Sequence, residues 1–494
     1  MPLIRIKGKM HGAAADSILL TFVKVITALL GLLTTKLLST QLSLQQYGTY
    51  SQAMLLVSTV TSITILGLTD ATNYFYNAAD DDDETKQKYI STVFGIQYLV
   101  GIFSGILICC FSIPITKYFQ NADLNRIIFF VAWMPVFQNL IPMLQVLFVS
   151  IGKARLIAVR NLVVSVARLV FVSAACFVTK DIKTVFILTL IMDVGQTVYF
   201  YYSFSKNKFR IKLKDFSIRL IKPILAFSIP MAVFVFTSAL SRDIDKYVIS
   251  YFTDTETLAI YTNAAKILPF DMLTASFLTV LIPIVTRQVR SENYPDAQKT
   301  LRAYLRVGYL ATWILVTGAI VNAKEMMLFF YDEKYLPGLA VFIIYLFVDM
   351  MRFANTSLIL SAKGKTRTLM KWSIIALALN LVFNVVAFKV FGVVGPAIVT
   401  LAITVILMVI YLHISAKEIN TTVVHLFDWK ELCIVIIQLL VVGGLAYFGK
   451  HLLNTWIESY CLVLFIDYGL LIMAMLLINK RRIMGCLRDI NKLR

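Results

Sequence analysis

Apolar stretches of about twenty residues recur along the whole chain, with short polar connections between them. A helix of about 20 residues crosses the hydrocarbon core of a bilayer, which is about 30 Å thick. Because lipid offers the backbone no hydrogen-bond partners, such stretches must be helical. We therefore expect an all-α, polytopic membrane protein. The pattern predicts about fourteen spans, at approximately residues 13–39, 47–68, 89–115, 124–149, 157–178, 182–205, 218–240, 256–285, 303–322, 336–361, 370–388, 392–414, 430–449 and 459–479.

Two sequence landmarks occur twice at nearly the same offset. Tyr50 and Tyr261 lie in similar segments that open two of the spans, and they are 211 residues apart. Gly152 in Gly-Lys-Ala-Arg and Gly364 in Gly-Lys-Thr-Arg each follow a span and are 212 residues apart. Internal repeats of this kind are typical of membrane transporters. The two pairs predict that the chain contains two copies of one unit.

This repeat predicts the organisation of the chain. We expect an N-terminal six-helix lobe at residues 1–205, followed by a basic cytoplasmic linker at residues 206–217. A second six-helix lobe is expected at residues 218–415. Residues 416–494 then form two further membrane helices and a basic cytoplasmic tail.

Composition and charge agree with a membrane protein. The chain is 59% hydrophobic and 15% charged, with a mean hydropathy of +0.78. Its net charge of +19 would suggest nucleic acid in a soluble protein. Here, however, most of the 47 Lys and Arg residues fall on one side when the connections are assigned alternately. The positive-inside rule places that side, with both termini, in the cytoplasm, and no nucleic-acid partner is expected.

Catalytic and metal-binding motifs are not evident. Gly364-Lys365-Thr366 resembles the end of a phosphate-binding loop, but the glycine that such a loop needs at position 359 is Ile359. The four histidines are far apart, and the six cysteines have no CxxC spacing. We therefore expect neither an enzyme, nor a metal site, nor a bound cofactor.

Three segments resemble the polysaccharide flippases, the Wzx-type transporters of O-antigen and capsule repeat units. They are IDKYVI at residues 244–249, LAIYTNAAKI at residues 258–267, and the glycine- and asparagine-containing segment at residues 364–400. These flippases belong to the superfamily that also contains the multidrug (MATE) exporters and the lipid II flippases. The resemblance implies two six-helix lobes in a V, around a cavity that opens alternately to each side.

The resemblance also implies a function. The substrate would be an oligosaccharide on undecaprenyl diphosphate, carried from the cytoplasmic to the outer leaflet of a bacterial inner membrane for polysaccharide biosynthesis. Membrane lipids are expected partners, and the polysaccharide polymerase machinery is a candidate partner. A proton or sodium gradient is the candidate energy source.

Four cations within the predicted spans suit a diphosphate. A charged side chain facing lipid would cost about 3 kcal/mol or more, so we expect all four to face a polar interior. Arg offers forked donors to phosphate oxygens, and Lys offers a compact charge. The alternative is that these cations are structural and paired with buried acids. The predicted substrate-binding cations are Lys24, Arg168, Lys266 and Arg352.

Three acids in or beside the spans are candidates for ion coupling, since intramembrane carboxylates often relay protons or bind ions. They are Asp70, Asp193 and Asp349. The alternative is that they are counter-ions of the cations.

Three other functions stay open at this point. A MATE-type multidrug antiporter would present acids and aromatic residues to a cationic drug. A lipid II flippase would also carry a diphosphate, but for the cell wall. A membrane scaffold without transport would tolerate Lys24→Ala and Arg168→Ala.

Overall fold

The computed structural model describes residues 2–78, 82–354 and 356–492. Within these ranges every regular element is a helix, as the apolar pattern predicts. The first nine α-helices are α1 (Pro2–Gln41), α2 (Leu44–Thr64), α3 (Leu68–Ala78), α4 (Asp83–Cys110), α5 (Ser112–Tyr118), α6 (Leu124–Ser150), α7 (Ala154–Ala174), α8 (Ile182–Asn207) and α9 (Ile218–Phe252). The next ten are α10 (Thr255–Ala264), α11 (Met272–Arg290), α12 (Tyr294–Val321), α13 (Ala323–Phe330), α14 (Leu339–Arg352), α15 (Leu358–Ala362), α16 (Thr366–Phe391), α17 (Gly395–Glu418), α18 (Trp429–Trp456) and α19 (Tyr460–Lys492).

Twelve stretches of the described chain are long and apolar enough to cross a membrane. One of them, Arg367–Glu418, holds both α16 and α17, which a short 3₁₀ turn at Gly392–Val394 separates. The predicted span at residues 256–285 is occupied by α10 and α11 together. Each of the fourteen predicted spans therefore corresponds to a helix or to a broken pair of helices. The all-α, polytopic fold class is confirmed.

Several predicted spans differ from the structure in their details. The span predicted to end at residue 240 continues as α9 to Phe252, because its charged residues are compatible with a helix although they end the apolar run. The span at residues 256–285 is broken between Ala264 and Met272, where Pro269 has no backbone N–H to donate. The span at residues 336–361 is broken between α14 and α15.

The repeated glycines form the same local structure. Gly152 and Gly364 both have a positive φ, +73° and +68°. In each case the next residue donates its backbone N–H to the carbonyl five residues earlier, Lys153 to Phe148 and Lys365 to Leu360, both at 2.8 Å. This is the Schellman arrangement that ends a helix at a left-handed glycine. The following helices α7 and α16 also begin 212 residues apart.

The described chain divides into two compact units. The first comprises residues up to 243 together with 250–259, and the second comprises 244–249 and the chain from 260 onward. The helix α9 therefore contributes to both. The predicted boundaries at residues 205 and 218 stay predictions.

In the first unit, α6 is the central helix and packs against α2, α3, α4 and α8. Its inward face is fully buried and includes Val131, Leu144 and Phe148. The linker after α8 joins the same core through buried Phe209 and Ile211. This core holds α6 and α8 side by side and so positions the polar cluster described below.

In the second unit, α12 is central and packs against α11, α14, α18 and α19. Polar contacts attach α18 to this helix and to the neighbouring helix α13. Arg306 on α12 donates from Nε to Oε1 of Glu431 on α18 at 2.8 Å. Near the other end of α18, Lys450 Nζ lies 3.0 Å from Oε2 of Glu325. The helix α18 is thus held at both ends, and on α19 the hydroxyl of Tyr468 donates to the carbonyl of Leu315 on α12 at 2.9 Å.

A second feature of the first unit is a buried contact of α2 with the end of α9 and the start of α10. A Cβ atom on Gly48 of α2 would lie 2.1 Å from the carbonyl oxygen of Thr255, so only glycine permits this approach. Beside it, Gln52 Nε2 donates to Ser250 Oγ at 3.3 Å, and Asn121 Nδ2 donates to Gln52 Oε1 at 2.7 Å. All five residues are nearly inaccessible to solvent or are glycine. We refer to them as the Gln52 cluster.

Candidate functional site

Asp193 on α8 is the centre of a polar cluster that three helices build. Its Oδ2 accepts a hydrogen bond from Gln138 Nε2 of α6 at 2.9 Å, and its Oδ1 accepts one from Gln196 Nε2 at 2.7 Å. The guanidinium of Arg168 on α7 lies 3.9 Å from the same Oδ1. Only 1% of Asp193 is exposed, so this carboxylate is satisfied entirely by protein groups.

Arg160 lies about two helical turns before Arg168 on α7 and is held more firmly. It donates to Asn161 Oδ1 at 2.7 Å and also to Gln196 Oε1. The centre of its guanidinium is 4.9 Å from the centroid of the Phe200 ring, a cation–π distance. Gln196 therefore bridges Asp193 and Arg160, so the two arginines share one network.

Part of this cluster follows from the sequence. Arg168 and Asp193 are the predicted residues that the structure brings together, and the i, i+3 spacing of Asp193 and Gln196 puts both on one face of α8. Arg160 was missed as a site residue, because it lies near the end of its span. Its neighbour Asn161 and the aromatic Phe200 are the available signals.

The cluster carries a net positive charge. Two guanidinium groups face a single carboxylate, and the remaining members are neutral amides. Arg168 is the more available arginine, since 43% of its side chain is exposed. Its Nε is buried, however, with no hydrogen-bond partner among the described residues. The arrangement can therefore accept an anionic group at Arg168 with neutral donors beside it.

Two more predicted residues, Lys266 and Asp349, lie at the break between α10 and α11, and a third, Arg352, lies on the same helix as Asp349. Lys266 is half-buried in the non-helical segment that follows α10. Two residues later, Leu268 donates its backbone N–H to Asp349 Oδ2 of α14 at 3.0 Å. Arg352 is the last residue of α14, one turn beyond Asp349. Asp349 thus satisfies a backbone group that the break releases, which is a structural task.

The other two predicted residues lie elsewhere. Lys24 is exposed on α1, a helix that packs against α7. Asp70 is exposed in the first turn of α3, where its charge favours the helix N-terminus. The structure does not connect either residue to the Asp193 cluster by a described hydrogen bond or ion pair. Their predicted roles in substrate binding and ion coupling stay predictions.

Sequence reasoning missed a second buried carboxylate, that of Asp245 on α9. Its Oδ2 accepts hydrogen bonds from the hydroxyls of Tyr261, at 2.8 Å, and Tyr345. The residue is 0% exposed, and within the described chain Oδ1 has no hydrogen-bond partner. The prediction that the span ends at residue 240 placed Asp245 in a connection. Its position in the segment IDKYVI was the one signal that pointed to it.

Groups of three or more His, Cys, Asp or Glu side chains that could hold a metal ion do not occur among the described residues. The polar clusters are built from arginine, amide, tyrosine and single carboxylate groups. Such groups can bind and orient other polar groups through charge and hydrogen bonds.

Comparisons with solved structures show the fold. Over 94% of this chain and 100% of the other, the structure is similar to the lipid II flippase MurJ in an inward closed conformation, with a TM-score of 0.73 and 16% identity. A multidrug resistance MATE family transporter of the MOP superfamily, in an inward-facing conformation, matches with a TM-score of 0.63 and 12% identity, over 82% and 99% of the two chains. A MOP superfamily transporter from Pyrococcus furiosus matches with a TM-score of 0.62 and 13% identity, over 83% and 95%. The fold is that of this transporter superfamily.

The sequence comparisons are more specific. The search of curated proteins finds no match. A family model described as polysaccharide biosynthesis protein matches residues 37–340, well over half of the chain. This range contains the whole Asp193 cluster. The chain belongs to the polysaccharide biosynthesis protein family.

Proposed function

We propose that this protein is a flippase for undecaprenyl-diphosphate-linked oligosaccharide repeat units. It carries them from the cytoplasmic to the outer leaflet of a bacterial inner membrane, for O-antigen, capsule or exopolysaccharide biosynthesis. The observation that carries the proposal is the Asp193 cluster, in which Arg168 approaches a buried carboxylate and Arg160 joins the same network through Gln196, within predicted membrane spans. Family membership favours a polysaccharide precursor, and the fold favours a transporter rather than an enzyme.

The chemistry of the cluster fits an anionic headgroup. Arginine supplies forked donors at the spacing of phosphate oxygens. Gln138, Gln196 and Asn161 supply neutral amides suited to sugar hydroxyls. A cationic drug would meet a net positive charge at this cluster. This argues against a MATE-type drug antiporter.

The mechanism that we propose is alternating access. Lys24, Lys266 and Arg352 are further candidate contacts of the diphosphate, and the lipid tail stays in the bilayer. A proton or sodium ion would bias the cycle only if it binds one conformation more tightly than the other. Asp70 and Asp349 are candidate sites for that ion, and both termini are placed in the cytoplasm.

The test is leaflet translocation in liposomes that contain the purified protein. The probe is a fluorescent polyprenyl-diphosphate oligosaccharide, scored by its accessibility to a reagent that does not cross the bilayer. We expect the wild type to flip the probe and Arg168→Ala to flip it at least tenfold more slowly, because one charge-assisted phosphate contact is worth about 1.5–3 kcal/mol. Lys24→Ala tests the second predicted cation separately.

The control variant is Arg126→Ala. Arg126 is a surface arginine whose ion pair with Asp123 is 3.4 Å long, with 80% of its side chain exposed. It should flip the probe at the wild-type rate. Equal rates for wild type and Arg168→Ala would reject the cluster as the site. Lipid II and a cationic dye serve as competing cargoes, and transport of either one without the oligosaccharide would reject the proposed substrate.

A further inference from the structure

Arg160 and Arg168 are restrained very differently, although they lie on one helix and share one network. Arg160 donates to two amide oxygens and stacks on Phe200. Arg168 has a single described polar contact, the 3.9 Å approach to Asp193, and 43% of its side chain is exposed. The contact is long, and 43% of the Arg168 side chain is exposed whereas the Asp193 carboxylate is buried, so the arginine is the weakly held end of the pair. Arg168 is the movable member of the pair.

Asp193 is fixed independently of Arg168. Gln138 and Gln196 donate to its two different oxygens, one from α6 and one from α8 itself. If the guanidinium of Arg168 left, both hydrogen bonds to the carboxylate would remain. The cost of separating the pair is therefore reduced, because the buried carboxylate keeps both amide donors and remains connected through Gln196 to the charge of Arg160.

We infer that Asp193 is a positioning residue, which holds Arg168 in the substrate-free state and releases it to the phosphate of the cargo. This inference rests on the proposed function. The Asp193 carboxylate pairs with Arg168 until a more highly charged anion, the diphosphate of the cargo, replaces it. Asp193 therefore lowers the affinity for substrate and keeps Arg168 oriented. Asp193 is then a counter-ion of Arg168, which was the alternative to the ion-coupling role for which it is a candidate.

We refer to the replacement of Asp193 by the cargo phosphate at Arg168 as the exchange. It predicts an unusual effect on substrate binding. Asp193→Asn removes the competing charge, while the amide retains a shape similar to that of the carboxylate. Binding of geranyl diphosphate to the detergent-solubilised protein, where no ion gradient exists, should tighten about two- to fivefold, which is the range that a weak ion pair allows. The effect should require Arg168. In the Arg168→Gln background, Asp193→Asn should leave the affinity unchanged.

This double-mutant cycle distinguishes exchange from a general change of charge. If the cluster responded only to its net charge, Asp193→Asn would tighten binding equally in both backgrounds, because Arg160 remains. That result would overturn the inference. Weaker binding by Asp193→Asn, together with flipping that no longer depends on an ion gradient, would assign coupling to Asp193 and would overturn the inference as well.

A second measurement needs no substrate. Phenylglyoxal modifies arginine, and peptide mass spectrometry gives the rate at Arg168 and at Arg160 in the same sample. We expect Asp193→Asn to speed modification of Arg168, while Arg160 remains slow because Asn161 still binds it. An unchanged rate at Arg168 would show that Asp193 does not restrain it. Faster modification without any binding of geranyl diphosphate would support the restraint and reject the proposed substrate class.

Discussion

At the scale of single residues, the polar groups inside this membrane protein are satisfied by partners far away in sequence. Asp245 receives hydroxyl donors from Tyr261 and from Tyr345, which follows it by 100 residues. An unpaired carboxylate in a dry interior is very costly, so the two tyrosines determine whether this acid can be buried. All three residues have less than 3% of their surface exposed.

We expect Tyr345→Phe to lower the free energy of unfolding by about 1–3 kcal/mol, because it removes one of the two donors to a buried acceptor. Chemical denaturation in detergent, followed by tryptophan fluorescence, gives this quantity. Tyr199→Phe is the matched control, since Tyr199 is 56% exposed, and it should change stability little. Equal stabilities for the two variants would contradict the importance of the Asp245 cluster.

Residue-scale prediction from the sequence works where partners are local. The i, i+3 spacing puts Asp193 and Gln196 on one face of α8. Prediction failed for Asp245, because no periodicity links α9 to a tyrosine on α14. Arg160 was missed for a similar reason, since its partners Gln196 and Phe200 lie on another helix.

At the scale of helices, apolar length predicted where spans occur but did not predict their interruptions. The break after α10 is stabilised when Asp349 accepts the N–H of Leu268. At the break after α14, the hydroxyl of Tyr304 donates to the carbonyl of Phe353 at 3.0 Å. Both partners come from other helices, so the sequence of the broken span alone could not reveal them.

The attachment of α18 can be tested through Lys450. Lys450→Met leaves Glu325 buried without its cation, and we expect unfolding to become easier by about 3–5 kcal/mol. The pair is 3.0 Å long, and each side chain is only 9% exposed. A thermal unfolding series in detergent, supported by denaturant titration, measures the loss.

The control for this element is Lys299→Met. Its ion pair with Asp296 is 2.9 Å long, but the two side chains are 70% and 42% exposed. Such a surface pair contributes about 0–1 kcal/mol. If both methionine variants destabilise the protein equally, burial is not what makes the Lys450 pair important.

At the scale of the whole molecule, composition and the internal repeat were sufficient to predict the class. The two Schellman turns at Gly152 and Gly364 show that the offset found in the sequence has a structural basis. The division into units was harder to predict, because the chain passes between them three times between Asp243 and Ile260. This interleaving depends on tertiary contacts of residues 250–259, and apolar periodicity contains no information about them.

Because the chain passes between the two units next to the Gln52 cluster, this cluster can be used to test alternating access. Residues 244–249 belong to the second unit, whereas residues 250–259, on the same stretch of chain, are held in the first by Gln52, Gln120 and the close approach at Gly48. A relative displacement of the two units must therefore either bend the chain here or release Ser250 from Gln52.

We expect release, because a single long hydrogen bond of 3.3 Å joins Gln52 to Ser250 and separates more easily than a helix bends. Cysteines at Gln52 and Ser250, in a background without the six native cysteines, would be joined by a short reducible thiol cross-linker. Flipping should fall to the level of protein-free liposomes and return on reduction. The control pair is Lys363→Cys with Glu418→Cys, whose native side chains are 3.3 Å apart within the second unit, and its cross-link should not affect flipping. Full flipping by a completely cross-linked Gln52–Ser250 pair would mean that residues 250–259 stay attached to the first unit throughout transport, and the displacement would then have to be absorbed by bending of α9.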